Sequence, residues 1–143
     1  MAEVSAVGIF CEDIREEKSG QNTLVGVLPD AINIAGAPAM LAKLCVYVRI
    51  HISPADADPG PISARIIMPD GTELVANEVE KEKIVTAREK AIAGGNPILG
   101  FILRFSATPL PVATPGRILA EVTIGPHKSI CGSLALNLTP SPT

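Results

Sequence analysis

Leu44-Cys45-Val46-Tyr47-Val48-Arg49-Ile50-His51-Ile52 is the stretch that decides the fold class. Leu44, Val46, Val48, Ile50 and Ile52 form an unbroken aliphatic row, and Cys45, Tyr47, Arg49 and His51 form the opposite row. Period-two alternation with β-branched residues is what a half-buried strand requires. The same pattern returns near the end of the chain. Ile118, Ala120, Val122 and Ile124 alternate with Arg117, Leu119, Glu121 and Thr123. Ile130, Leu134, Leu136 and Leu138 then face away from Cys131, Ser133, Ala135 and Asn137. Gly125-Pro126-His127-Lys128 lies between the two runs. Residues 116–138 therefore read as a β-hairpin with a loop of about four or five residues.

Working outward, Ile62–Met68 and Glu73–Ala76 form a second hairpin around Pro69-Asp70-Gly71. Proline suits the first central position of a turn, and glycine supplies the positive φ that closes it. Further strands are expected at Val4–Cys11, Thr23–Leu28 and Ile98–Phe105, with Gly20-Gln21-Asn22 as the turn between the first two. The third places Leu99, Phe101, Leu103 and Phe105 on one face, which makes it a core anchor. Pro29-Asp30 and Gly36-Ala37-Pro38 bracket a short segment, Ala31–Ala35. Ser53–Pro61 and Thr108–Gly116 are proline-rich connectors, and proline marks strand ends or sheet edges.

One segment breaks the pattern. Glu78–Ala93 is rich in Glu, Lys, Ala and Arg, which favour helix. Ile84, Ala87, Arg88 and Ala91 share a weakly apolar helical face. Asn77 is the expected cap and Gly94-Gly95 the stop. The sum is a mainly β chain: an immunoglobulin-like β-sandwich of about seven to nine strands with one surface helix over residues 78–93. It is read as a single domain over residues 1–138, followed by a short tail at 139–143.

Bulk composition narrows the function. A chain of 143 residues is one domain's length. Apolar residues at 47% against 19% charged exclude disorder. The net charge of −3, the absence of a basic block and an aromatic content of 3% argue against nucleic-acid binding. The start of the chain lacks a basic, apolar leader, and Ile98–Leu103 is far too short to span a bilayer. No membrane association is expected, and the expected location is cytoplasmic. Cys11, Cys45 and Cys131 are too widely spaced for a CxxC pair and read as buried small hydrophobes in a reducing compartment. Neither GxGxxG nor GxxxxGK[ST] occurs, and no cofactor is expected.

Phe10-Cys11-Glu12-Asp13-Ile14-Arg15-Glu16-Glu17, followed by Thr23-Leu24-Val25-Gly26-Val27, resembles the opening of a family of small bacterial and phage-associated proteins of unknown function. Pro38–Ile52 and Pro69-Asp70-Gly71 continue the likeness. The resemblance implies a small cytoplasmic β-sandwich, or a virion protein if phage-encoded. It implies no chemistry and no catalytic residue.

The candidate sites are few. Tyr47, Arg49 and His51 share one strand face, and Tyr and Arg are enriched at binding hot spots. They are the expected surface for a protein partner or self-association. The leading reading is thus a non-enzymatic interaction or assembly protein, in a phage-related setting a capsid-decorating or tail-associated one. A second reading is a small-molecule or calcium-binding sandwich using Glu12 and Asp13, with Glu16 and Glu17, or Asp56 and Asp58, with Asp70 as a further ligand. Against it, successive strand residues point to opposite faces and Arg15 sits among the acids. A third is a small hydrolase or thiol enzyme built on Cys11 or His51. It needs a nucleophile or carboxylate within hydrogen-bond reach of His51 or His127.

Overall fold

The structure is a computed structural model that describes residues 4–54 and 61–140. In chain order it has β1 (Val4–Glu16), β2 (Asn22–Val27), β3 (Ala31–Ala37), β4 (Ala39–Leu41), β5 (Leu44–Ile52), β6 (Ile62–Ile67) and β7 (Glu73–Glu78). These are followed by α1 (Lys81–Ala93), β8 (Leu99–Ala107), β9 (Leu110–Val112), β10 (Gly116–Ile124) and β11 (His127–Pro140). The protein is mainly β, with one helix and several sheets. A four-stranded antiparallel sheet runs β2-β1-β5-β8, a five-stranded sheet runs β3-β11-β10-β6-β7, and β4 pairs with β9. All pairings are antiparallel except β3 with β11.

Alternation places the core. On β5, Leu44, Val46, Val48, Ile50 and Ile52 are buried, and Val46, Val48 and Ile50 lie directly opposite Phe105, Leu103 and Phe101 of β8. Ile62, Ala64 and Ile66 of β6, Ile118, Ala120, Val122 and Ile124 of β10, and Leu134 and Leu136 of β11 come from the other sheet. Both sets join one hydrophobic cluster, which Phe10 also enters. Burying a row of aliphatic side chains of this kind stabilises by roughly 1.5–3 kcal/mol per residue before the entropy cost of ordering.

Several elements depart from the sequence reading. The described residues hold more strands than expected: β3 forms in the short bracketed segment and runs on to Ala37, β4 follows it at Ala39–Leu41, and β9 forms inside a proline-rich connector. The loop joining β10 to β11 is only Gly125-Pro126, since Ile124 pairs directly with His127. Gly125 has φ 57°, the positive value that a two-residue turn of the II′ type needs at its first central position. Ile130 is half exposed rather than in the core. The register shifts opposite Ala120 and Glu121, leaving Cys131 as an extra residue. Such a bulge flips everything on its far side to the other face. The helix begins at Lys81 because β7 continues to Glu78, and Asn77 Oδ1 accepts the Glu78 amide instead of capping the helix. Its end is as expected: the Asn96 amide donates to Ala91 O and the Gly95 amide to Ile92 O, with Gly95 at φ 66°. β11 runs to Pro140, two residues into the expected tail.

The bulge coincides with a close approach between the sheets. A Cβ added to Gly132 would lie 2.6 Å from the carbonyl oxygen of Gly8. Glycine on both strands lets β1 and β11 meet backbone to backbone, a common reason for glycine inside a strand.

Candidate functional site

The outward face of the four-stranded sheet carries the residues singled out above. β5 supplies Tyr47, Arg49 and His51, and the pairing registers build rows around them. Tyr47 lies between Ile9 and Arg104, Arg49 between Val7 and Ile102, and His51 between Ser5 and Gly100. Val7 and Ile102 are 54% and 45% exposed, so Arg49 is flanked by two open aliphatic side chains. Val7, Ile9, Ile102 and Arg104 were not visible as neighbours in the sequence, because adjacency across strands is set by register.

Arg49 Nε donates to His51 Nε2 at 2.9 Å. That nitrogen is therefore the acceptor of this hydrogen bond. The His51 ring lies over Gly100, whose added Cβ would meet His51 Cδ2 at 3.6 Å. None of the ion pairs found among the described residues uses Arg49. Arg104, one row away, is satisfied: its Nη1 lies 3.2 Å from Glu16 Oε1 and donates to Asn22 Oδ1 at 2.9 Å. His51 also lines a shallow depression of about 350 Å³ with Val4, Ser5, Pro97 and Ile98. The centre of the face thus presents an aromatic ring, a guanidinium with no carboxylate partner among the described residues, and open aliphatic groups.

The other candidates are dispersed. Asp13 Oδ1 accepts from Lys43 Nζ at 2.7 Å, and Arg15 Nε stands 3.7 Å from Asp13 Oδ2. The hydrogen bond from Lys43 holds the Asp13 carboxyl below its ordinary value. Glu16 pairs with Arg104, and Glu17 accepts from Thr23 Oγ1 at 2.9 Å. Glu12 lies across Gly26. Asp70 closes its own turn, accepting the Thr72 amide and hydroxyl at 2.9 and 2.6 Å. Asp56 and Asp58 lie outside the described residues. Among the described residues, no group of three or more His, Cys, Asp and Glu side chains gathers to hold a metal ion.

Cys11 and Cys45 face each other across β1 and β5, both free and both buried. Burial, and then the neighbouring Cys45, push the Cys11 thiol up to about 11. Burial also raises the Cys131 thiol. A thiol held protonated in this way is a poor nucleophile. Among the described residues, the hydrogen bond made by His51 is to Arg49, a donor, and His127 is exposed beside the β10–β11 turn.

These features define a mainly β protein whose distinctive surface is a sheet face. The chain belongs to DUF6941, a family of unknown function, whose model matches residues 6–131. The family's description gives no host, process or chemistry, and the bacterial or phage setting expected above finds no support in it. No curated protein matches the chain. Among the described residues no helix is long and apolar enough to cross a membrane.

Proposed function

We propose that the protein is a non-enzymatic assembly module that self-associates through the outward face of its four-stranded sheet. The observation that carries this reading is Arg49, which has no carboxylate partner among the described residues and stands between open Val7 and Ile102 beside Tyr47. A two-fold axis between Tyr47 and Arg49 sets each guanidinium over the other copy's phenol ring. An isologous interface needs that reciprocity, and a cation over an aromatic face is attractive. Val7 and Ile102 supply the apolar rim of each pairing.

The fold reading that accompanies this is an immunoglobulin-like β-sandwich. Strand order supports it: β11, β10, β6 and β7 follow the arrangement of the G, F, C and C′ strands, and β3 lies parallel to β11 as a leading strand does beside G. β5 and β8 then correspond to the B and E strands of the opposite sheet.

Light scattering across a concentration series tests the function. The wild type is expected above the monomer mass of 14.9 kDa at high concentration, and Tyr47→Ala with Arg49→Ala is expected at it. A wild type that stays monomeric throughout, or a double variant with unchanged mass, removes the proposal.

A further inference from the structure

Two of the free cysteines, Cys11 and Cys45, stand directly opposite each other on neighbouring strands. Both lie in the outward row of their strand, Cys11 following Val7 and Ile9, and Cys45 preceding Tyr47 and Arg49. Opposite residues of an antiparallel pair point to the same side, with Cα atoms about 4.5–5.5 Å apart. A disulfide spans about 4.4–6.8 Å between Cα atoms. The β1–β5 register runs without a shift from Val4 opposite Ile52 to Cys11 opposite Cys45. β1 and β5 are also the two inner strands of their sheet, so each is held from both sides. The sheet itself therefore keeps the two sulfurs as neighbours.

The remaining cysteine is kept apart from this pair. Cys131 lies at the β11 bulge against Gly8, since a Cβ on Gly8 would stand 3.2 Å from Cys131 Sγ. Gly8 is three residues before Cys11 on β1, so the two positions face opposite sides of the sheet. The sheet thus lies between Cys131 and the pair.

The paired thiols differ in access. Cys11 is fully buried, whereas Cys45, 2% exposed, lines a depression of about 210 Å³ with Glu16, Lys43, Arg104 and Ser106. Glu16 pairs with Arg104, and Lys43 pairs with Asp13. These charges offset one another, so the depression suits a small uncharged reagent better than a charged one.

We propose that Cys11 and Cys45 form a redox-sensitive modification site, which a hydroperoxide oxidises to a disulfide stapling β1 to β5 within one chain. The Cys45 sulfur attacks one oxygen of hydrogen peroxide. An S–O bond forms, the O–O bond breaks, and the departing hydroxide leaves as water with the Cys45 proton. Cys45 is then a sulfenic acid. Cys11 attacks that sulfur, the S–S bond forms, and the hydroxyl leaves as water with the Cys11 proton. In sum, two thiols and one peroxide give one disulfide and two waters, and the two electrons lost by the sulfurs reduce the peroxide. Burial is the larger restraint on charge at Cys11, and the neighbouring Cys45 is the next. Conversion of Cys45 to a neutral sulfenic acid removes that second restraint, which favours the resolving step.

The test exposes the folded full chain to hydrogen peroxide at a dose that fully oxidises the urea-unfolded chain. Remaining thiols are then alkylated in denaturant and the tryptic peptides are mapped by mass spectrometry. Cleavage after Lys and Arg puts the three cysteines in separate peptides, residues 1–15, 44–49 and 129–143. The expected product joins 1–15 to 44–49, is lighter by two hydrogens than the two reduced peptides together, and is parted by dithiothreitol. On a denaturing gel without reductant, the oxidised chain is expected to run as a monomer. Cys131→Ala is expected to form the same bridge. Cys45→Ala is expected to leave Cys11 reduced, and Cys11→Ala is expected to stop at a Cys45 sulfenic acid that dimedone traps. Full alkylation of Cys11 and Cys45 in the treated wild type, a bridge that includes residues 129–143, or a bridge between two chains overturns the proposal. The bridge forms within one chain, so its failure and the failure of the self-association reading are separate results.

Discussion

Gly132→Ala is the sharpest test of the packing between the sheets. The added methyl would lie 2.6 Å from Gly8 O, 3.1 Å from Gly8 C and 3.2 Å from Gly8 Cα. All three atoms are β1 backbone, so no side chain can rotate away, and either β1 or β11 has to move. Forced overpacking costs about 1–3 kcal/mol. A rigid backbone obstacle places this case near 3 kcal/mol. The lower chain entropy of unfolded alanine relative to glycine offsets about 0.5–1 kcal/mol. The net loss is about 2 kcal/mol, which for a chain of this size lowers Tm by about 6–8 °C. Gly100→Ala is the control on the same scaffold. Its methyl would meet His51 Cδ2 at 3.6 Å, an ordinary contact. It is expected to be neutral or to gain up to about 0.5–1 kcal/mol. Urea and thermal unfolding of the two variants beside the wild type measure both. A Gly132→Ala protein that melts within a degree of the wild type refutes the close approach of β1 and β11.

Leu136→Ala removes a fully buried side chain from the five-stranded sheet and is expected to cost about 2–5 kcal/mol by urea unfolding. Asp13 titrates lower in the folded chain than in the unfolded one, so its pairing with Lys43 adds stability above the ordinary carboxylate range and loses it as pH falls through the lowered value. Melting of Asp13→Asn against the wild type is thus expected to show a gap at neutral pH that closes in acid. Equal gaps at both ends would show that the bridge is not the cause. The Cys11 thiol, raised from 9.0 to about 11, resists ionisation in the folded state, whereas the unfolded thiol ionises from about pH 9 upward. Stability is expected to fall as pH rises through that window, and to fall less in Cys11→Ala. α1 buries only Ile84 and Ala91, so its amides are expected to exchange faster than those of β5 and β10.

What could be read from the sequence was local. The faces of β5, β8 and β10 follow from alternation alone, and the helix stop follows from Gly94-Gly95. What escaped depends on partners far along the chain. β3 is a strand because Ala31–Ala37 lies beside β11, about a hundred residues later, as the hydrogen bond from Asn137 Nδ2 to Asn33 Oδ1 shows. β4 and β9 are each too short to form without the other. Cys131 displaced Ile130 through a bulge that alternation cannot reveal, although the glycine beside it was a visible signal. The same division holds for the site. Tyr47, Arg49 and His51 were legible as one face because they lie on one strand. Val7, Ile102 and Arg104 complete that face only through the registers of β1 and β8.

Element order explains why β8 ends the four-stranded sheet. In the immunoglobulin-like reading, the chain leaves the five-stranded sheet at β7 and re-enters the opposite sheet at β8. A strand formed on that path would lie beside β8 and close its edge. Here the path is α1 instead, because Lys81–Ala93 is built of good helix formers. A helix satisfies its backbone groups internally, so it has no ladder to offer a neighbour. It shields apolar surface through Ile84 and Ala91, but among the described residues no strand pairs with the edge of β8 that faces away from β5. A helix at this position thus leaves β8 as the last strand of the four-stranded sheet among the described residues. The groove beside it, where β7 gives way to α1, is lined by Glu78 and Glu80 but also by Lys83 and Arg104.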